Sequence, residues 1–395
     1  MTTFKKNISL ILVLTLALSF MTTTMVAAAT SISLNLDGNK MSVSSKPIDT
    51  NGIIYVPIKS VAEAIGGSAV LSTNKKALTI KTAAYTTVLT VGSAKITVNG
   101  ASKNISKGVI SMRGTFMIPV ADMDTAIGVK GEYIKSSSAV NLVYFKDMTG
   151  TLKIGGSTTI QQYSQSIANK LNTLNKGLSI AVTGGGSGPG VSGAADGTLN
   201  IGNASRDLKS TEIAANPTLK SFTFGKDAIC IVVNKNNPIK ALKKDQVIKI
   251  FTGEITNWKD VGGKDGPILI QTREDGSGTL DGLVSLALGG KTVAKTATPS
   301  GSNQLMAEAV KGNINAIGFI SMGYISDGVK ACTIDGVSAT AANGLTGKYP
   351  YVRNLNVVTK GIPSELAGKY IDYMKSANGQ KLLSDEAYLP LKFKD

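Results

Sequence analysis

The sequence predicts an α/β protein of two lobes, preceded by a separate small β-rich (α+β) domain. Three observations carry that expectation. From about Thr151 onward, apolar runs of strand length alternate with amphipathic runs of helix length, which calls for a layered α/β fold with parallel sheets. This stretch is longer than one compact α/β sheet usually needs, so two lobes are the natural solution. The stretch before it, from Ser31 to about Tyr144, consists of short alternating strands and contains an internal repeat.

Composition narrows the function. The 395 residues leave room for two or three domains, and a hydrophobic content of 42% with 17% charged residues supports proper cores. A formal net charge of +16 suits anionic ligands or surfaces. Aromatic content is only 5%, and no basic run is interleaved with aromatics, so nucleic acid is not an expected partner. The chain has no histidine, which removes His-based acid/base catalysis, a Ser-His-Asp triad and any His-ligated metal site. No cofactor or metal is implied.

Lys5 and Lys6, an apolar run from Ile8 to Phe20 and the small residues Ala27-Ala28-Ala29 read as a signal peptide over residues 1–29. The alternative is an uncleaved anchor, for which the apolar run is short. The protein is therefore expected to be secreted, extracellular and associated with the cell surface. No cysteine follows the signal to carry a lipid. Cys230 and Cys332 sit in apolar strand-like runs, which fits buried thiols better than a disulfide framework, although export permits a bridge.

Residues 30–146 form the first expected domain. Gly52-Ile-Ile-Tyr-Val-Pro57 leading to Ala64-Ile65-Gly66 recurs 62 residues later as Gly114-Thr-Phe-Met-Ile-Pro119 leading to Ala126-Ile127-Gly128. Each copy reads as a strand ending at Pro and a short helix closed by Gly. Between and after the copies, Ala77 to Thr82, Thr86 to Val91 and Ala94 to Val98 read as hairpin strands, with Asn99-Gly100 as a turn. This pattern resembles the copper amine oxidase N-terminal-like domain. Despite that name no copper is inferred, since a chain without His offers nothing like a copper site. The expected role is a spacer or a module with a cell-surface partner.

Residues 147–395 hold the two lobes, one expected over 147–225 and 355–395 and the other over 232–350. Three strand-to-helix turns in this region are built of small residues: Gly155-Gly156-Ser157-Thr158-Thr159, Thr183-Gly184-Gly185-Gly186-Ser187-Gly188-Pro189-Gly190 and Arg273-Glu274-Asp275-Gly276-Ser277-Gly278-Thr279. Helix N-termini and hydroxyls supply donors there, and Arg273 adds a bidentate clamp, so the set reads as an oxyanion site. Taken singly, the third loop reads equally as a turn with Ser277 or Thr279 as helix cap, the second reads more readily as a flexible turn, and the first is a weak motif. No GxxxxGK[ST] spacing is present, which disfavours a nucleotide. Ligands of open α/β sheets sit beyond the carboxyl ends of strands, where all three loops lie.

Together with Ile201-Gly-Asn-Ala-Ser-Arg206, Ile250-Phe-Thr-Gly-Glu-Ile-Thr-Asn-Trp258 and Ala316-Ile-Gly-Phe-Ile-Ser-Met-Gly-Tyr324, these loops resemble phosphate ABC transporter substrate-binding proteins, in family order over nearly all of residues 150–390. The resemblance implies the two-lobe type II periplasmic-binding-protein fold, hinged on crossover strands at Phe222 to Val233 and Tyr351 to Val358. It also implies a monomer that captures inorganic phosphate for a membrane ABC permease without chemistry. The alternatives are a secreted phosphatase or a surface adhesion protein on the same scaffold. Carried over, the anion contacts are Thr158, the Thr159 amide, Ser187, Arg273, Ser277, the Gly278 amide and Thr279. Ser205 and Arg206 complete the candidate set. In a familiar form of the family an acid follows Ala-Ser and accepts the proton of hydrogen phosphate, whereas here Ala204-Ser205 is followed by Arg206. Arg206 reads as a second clamp with Asp207 or Asp275 as acceptor or ion-pair partner, or as an exposed Arg206-Asp207 pair. Trp258 reads as packing, Asp227 and Glu274 as solvated or paired acids, and Tyr324 as either cleft mouth or core.

Overall fold

A computed structural model describes residues 31–391, and the expected signal peptide lies outside them. The internal repeat is two copies of one strand–helix unit laid against each other. Ile53–Pro57 and Thr115–Pro119 pair antiparallel, with Ile118 opposite Val56, and run into the short helices Ile58–Ala64 and, one turn later, Met123–Ile127. The alternating runs form an antiparallel five-stranded sheet, Ser68–Leu71, Ala77–Lys81, Thr86–Thr90, Lys95–Val98 and Ala101–Asn104. Its last turn has Asn99 at φ 51° and Gly100 at φ 84°, and a type I′ hairpin requires positive φ at both central residues.

This first region is fastened to the two-lobed part of the chain. Val61, Ile65 and Leu78 belong to the same buried apolar cluster as Leu152, Tyr163 and Tyr370. Asp372, wholly buried on the helix Glu365–Lys375, accepts the Ala83 amide at 2.8 Å and the Tyr144 hydroxyl at 2.7 Å. Burial raises its pKa to about 7, against the pull of those two hydrogen bonds.

From Gly150 onward one sheet runs through the molecule. Its main path is Leu178–Thr183, Gly150–Gly156, Ile201–Ala204, Val352–Lys360, Leu219–Asn234, Ala316–Ser321, Leu269–Arg273 and Thr298–Ser300. The expected parallel pairing holds within each flank, where Gly150–Gly156 lies parallel to both neighbours and so does Leu269–Arg273. The centre differs. Leu219–Asn234, 16 residues long, pairs antiparallel with Val352–Lys360 over its first half and with Ala316–Ser321 over its second. The reason is connectivity: one strand crosses from the first flank to the second and another returns, so the two run in opposite directions. They coincide with the expected crossover strands. A second apolar cluster, around Phe251, Trp258, Phe319 and Ile231, fills the second flank. Trp258 is buried and donates its Nε1–H to the Asn315 carbonyl at 3.1 Å, so it packs.

Cys230 and Cys332 are free, buried thiols, and burial pushes the Cys332 thiol up to about 12 and Cys230 higher still.

Candidate oxyanion-binding site

Four strand-to-helix turns converge where the two flanks meet. From the first flank, Gly150–Gly156 leads through Ser157 into the helix Thr158–Leu174, and Leu178–Thr183 leads into Ser187–Asp196. From the second, Leu269–Arg273 leads into Gly278–Leu286, and Thr298–Ser300 leads through Ser302 into Asn303–Gly312. Ser277 caps its helix by accepting the Leu280 amide at 3.3 Å. The expected cap is thus real, and it stands within the cluster.

The flanks touch through the predicted residues. Arg273 Nη2 donates to Thr158 Oγ1 at 3.2 Å, the Thr159 and Thr279 hydroxyls lie 3.1 Å apart, and the Gly188 amide donates to the Gly276 carbonyl at 2.9 Å. A Cβ on Gly278 would lie 2.1 Å from Ser187 Oγ, so only glycine allows that approach. Ser187 Oγ accepts the Ser205 amide at 3.0 Å, and Ser157 Oγ donates to Ser205 Oγ at 2.9 Å. Thr158, Thr159, Ser187, Ser205, Arg273, Ser277, Gly278 and Thr279 are therefore brought together, and all are buried.

Charge in the cluster comes from two guanidinium groups. Arg273 gives its Nε–H to the Ser300 carbonyl at 2.9 Å and Nη2 also to that of Gly301 at 3.1 Å, while its buried Nη1 has no hydrogen-bond partner among the described residues. Burial, helped by the charge of Arg353, pushes its pKa down to about 10, which still leaves it charged at neutral pH. Arg353, which the sequence reading missed, bonds Asp227 Oδ2 through Nε at 3.0 Å and Nη2 at 2.7 Å, and its Nη2 also reaches Thr159 Oγ1 at 2.9 Å. Its Nη1 is buried and unpartnered among the described residues too.

Of the two expectations for Asp227, solvated or paired, the second holds: it is wholly buried and paired with Arg353. It also accepts the Ser321 hydroxyl at 2.7 Å and the Met322 amide at 3.3 Å. Burial raises its pKa while Arg353 opposes that shift; with donors at all four contacts, it is bonded as a carboxylate. The Tyr324 hydroxyl donates to the Thr158 carbonyl at 2.6 Å and that of Tyr388 to the Thr159 carbonyl at 2.5 Å, fixing the start of that helix.

Arg206 is the exception among the candidates. Its Nε donates to Asp281 at 2.7 Å, Nη1 and Nη2 to Glu212 at 2.8 and 2.7 Å, and Nη1 also to the Asp207 carbonyl at 3.0 Å. The second-clamp reading is corrected accordingly: two carboxylates already satisfy this guanidinium. Asp281 belongs to the second flank and Glu212 to the first, so Arg206 is a latch across the cleft rim, joined by Lys209 on Asp281 at 3.0 Å. Asp207 does not pair with it through its side chain, which accepts from Asn354 and Asn356. Glu274 and Asp275 are exposed.

The other residue missed is Asn303, wholly buried at the first position of its helix, with Nδ2 3.3 Å from Thr158 Oγ1 and 3.0 Å from Thr159 Oγ1. A signal for it exists: Ser300-Gly301-Ser302-Asn303 repeats the small-residue turn of the other three loops. For Arg353 the signal is an arginine between the apolar positions of a buried strand, Val352 to Val358.

Residues 146–378 match the PBP superfamily domain, and residues 35–142 match the copper amine oxidase N-terminal domain. The phosphate-binding protein PstS of Bacillus subtilis is 35% identical over 268 residues, covering 67% of this chain and 89% of that protein. Its namesake in Borreliella burgdorferi is 27% identical over 62% of this chain and 92% of its own length. Among solved structures, a putative phosphate ABC transporter substrate-binding protein with bound phosphate from Clostridium perfringens is 36% identical with a TM-score of 0.60. It matches 62% of this chain and 100% of its own. An ABC-type phosphate transport receptor from Vibrio cholerae gives 34% identity and a TM-score of 0.52, over 61% of this chain and 100% of that one.

Proposed function

Because this chain belongs to the PBP superfamily and, within it, to the family of the phosphate-binding protein PstS, we propose that it captures inorganic phosphate and hands it to a membrane ABC permease. It binds without chemistry and needs no cofactor. The observation that carries this reading is the bond from Arg273 to Thr158 across the cleft, beside the paired hydroxyls of Thr159 and Thr279. A guanidinium whose partners are all uncharged retains its attraction for an anion, and closure of one flank on the other assembles the donors. Thr158, Thr159, Ser187, Ser205, Arg273, Ser277, Gly278 and Thr279 hold the anion in this reading. Arg206 holds the cleft shut.

The protein works as a secreted monomer at the cell surface, exported by its signal peptide. Residues 30–146 place it there through a surface partner, and residues 147–395 bind the ligand. No described helix is long and apolar enough to cross a membrane. Titration calorimetry with phosphate tests the reading: the wild type binds, and Arg273→Ala loses at least about 2 kcal/mol of binding free energy. A folded wild type that takes up no phosphate sinks it. Turnover of a phosphate ester, abolished by Arg273→Ala, would make the protein an enzyme instead.

A further inference from the structure

The first domain gathers unbalanced charge at one end. Between Glu63 and Asp122 the sequence has the cations Lys75, Lys76, Lys81, Lys95, Lys103, Lys107 and Arg113 and no Asp or Glu, and this stretch contains the whole five-stranded sheet. The turn joining Ala77–Lys81 to Thr86–Thr90 is pressed onto the lobes: the Ala83 amide donates to Asp372, and a Cβ on Gly368 would lie 2.6 Å from that of Ala84. At the other end of the same two strands, about 16 Å away for five residues of strand, three segments of chain meet. The Val91 amide donates to the Lys76 carbonyl at 3.0 Å, that of Gly92 to Val109 at 2.7 Å and that of Ile105 to Ala94 at 2.9 Å. Lys75, Lys76, Lys95, Lys103 and Lys107 sit on these segments, all exposed, and none makes an ion pair among the described residues. Asp122, which reaches the loop beside Lys107, is buried and taken up by the Ser106 amide and hydroxyl, at 3.0 and 2.6 Å.

Like charges gathered at one tip repel one another, and an anionic partner relieves that repulsion. The chemistry of the tip narrows the partner. The acid-free stretch has two aromatic residues, Tyr85 in the turn on the lobes and the buried Phe116, so the tip offers no ring to stack on a base or to anchor in a bilayer. Lysine meets an anion as a point charge, which phosphate oxygens accept from any side. A planar carboxylate is matched by the arginine fork, and no arginine stands between Ala64 and Met112.

We propose that this lysine tip docks on a flexible phosphodiester-linked polymer outside the membrane, which holds the protein by charge and leaves the cleft untouched. The proposal rests on the reading that residues 30–146 attach the protein at the cell surface, and it names the partner. The hold reaches the lobes because the junction is tied. The Asp37 carboxylate accepts the Tyr144, Phe145 and Lys146 amides, and Asn175 accepts the Met148 amide at 2.9 Å while donating to the Phe145 carbonyl at 3.0 Å.

The test is titration of the full chain, its cleft saturated with inorganic phosphate, with synthetic poly(glycerol phosphate). Affinity is expected to fall by about 100-fold between about 50 and about 200 mM salt, the dependence of about five lysine contacts on a flexible chain. Changing Lys75, Lys76, Lys95, Lys103 and Lys107 together to Gln removes that dependence and at least about tenfold of the affinity at low salt, with phosphate binding in the cleft unchanged. The control changes five exposed lysines of the lobes to Gln, Lys176, Lys220, Lys264, Lys295 and Lys348, and keeps the wild-type affinity to within a few-fold. Equal loss in the two variants would mean that the polymer reads net charge, and overturns the proposal. So does tighter binding to polyglutamate, or to vesicles containing phosphatidylglycerol, than to poly(glycerol phosphate) at equal charge. Sedimentation with cells that express the protein separates the two readings: a wild type retained by cells yet indifferent to poly(glycerol phosphate) loses this inference alone, and one that cells do not retain loses surface attachment as well.

Discussion

Arg273 and Arg206 both join the two flanks of the sheet from the end of a strand, yet their surroundings give them opposite work. Arg273 bonds a hydroxyl and two carbonyls, so its charge is left uncancelled within hydrogen-bond reach. Arg206 bonds Asp281 and Glu212, which more than balance it. A cation among neutral acceptors attracts an anion; one between carboxylates only fastens what carries them. Arg353 stands between these cases, tied to Asp227 yet with a buried Nη1 to spare. In this molecule the partners decide what each arginine does, and residue type alone does not.

The largest effect expected from breaking this arrangement is at Arg353. Both members of the Arg353–Asp227 pair are buried, and removing one leaves an uncompensated buried charge. Arg353→Ala is expected to cost about 3 to 5 kcal/mol of folding stability in urea denaturation. Replacing both partners, Arg353→Met with Asp227→Leu, recovers most of that loss. A loss below about 1 kcal/mol for the single change would put this pair with the rim latch, in the range of exposed ion pairs.

How much of this was legible in the sequence depends on which signals are local. The strand–small loop–helix turns at Gly156, Ser187 and Arg273 each announce themselves within a few residues, and all three came together. The repeat at Pro57 and Pro119 was legible too, since copies reveal themselves by comparison within the chain. Direction of pairing was not. The antiparallel centre depends on one strand crossing between flanks, and Leu219-Lys220-Ser221 at its start carries partly or wholly exposed side chains with no strong period. Partner choice was hidden for the same reason. Nothing near Arg206 in sequence shows that Asp281, 75 residues on, comes within 2.7 Å, and nothing near Asn303 shows Ser321 settling its amide.

A smaller effect is expected at the rim. Arg206→Ala removes a latch whose acids are partly open to water, with Glu212 at 20% and Asp281 at 29% side-chain exposure. The expected loss is about 1 kcal/mol in phosphate affinity, read by calorimetry and smaller at high salt, because the closed form alone gains the bridge. A loss equal to that of Arg273→Ala would return Arg206 to the ligand's own contacts.

The smallest effect is the acid sensitivity of that latch. Burial alone would raise the pKa of Glu212, but its bonds from Arg206 and the Lys209 amide outweigh burial and hold it below the ordinary value. A carboxyl depressed by folding adds stability above its unfolded pKa, and that contribution fades as pH falls through the folded one. Glu212→Gln should therefore flatten the acid limb of urea midpoints by less than about 1 kcal/mol and leave neutral-pH phosphate affinity within a few-fold, whereas Asp275→Asn, at an exposed acid, should leave the limb unchanged. Equal flattening by both would mean that the limb reports general charge, and Arg206 would lose its distinction as a latch between flanks.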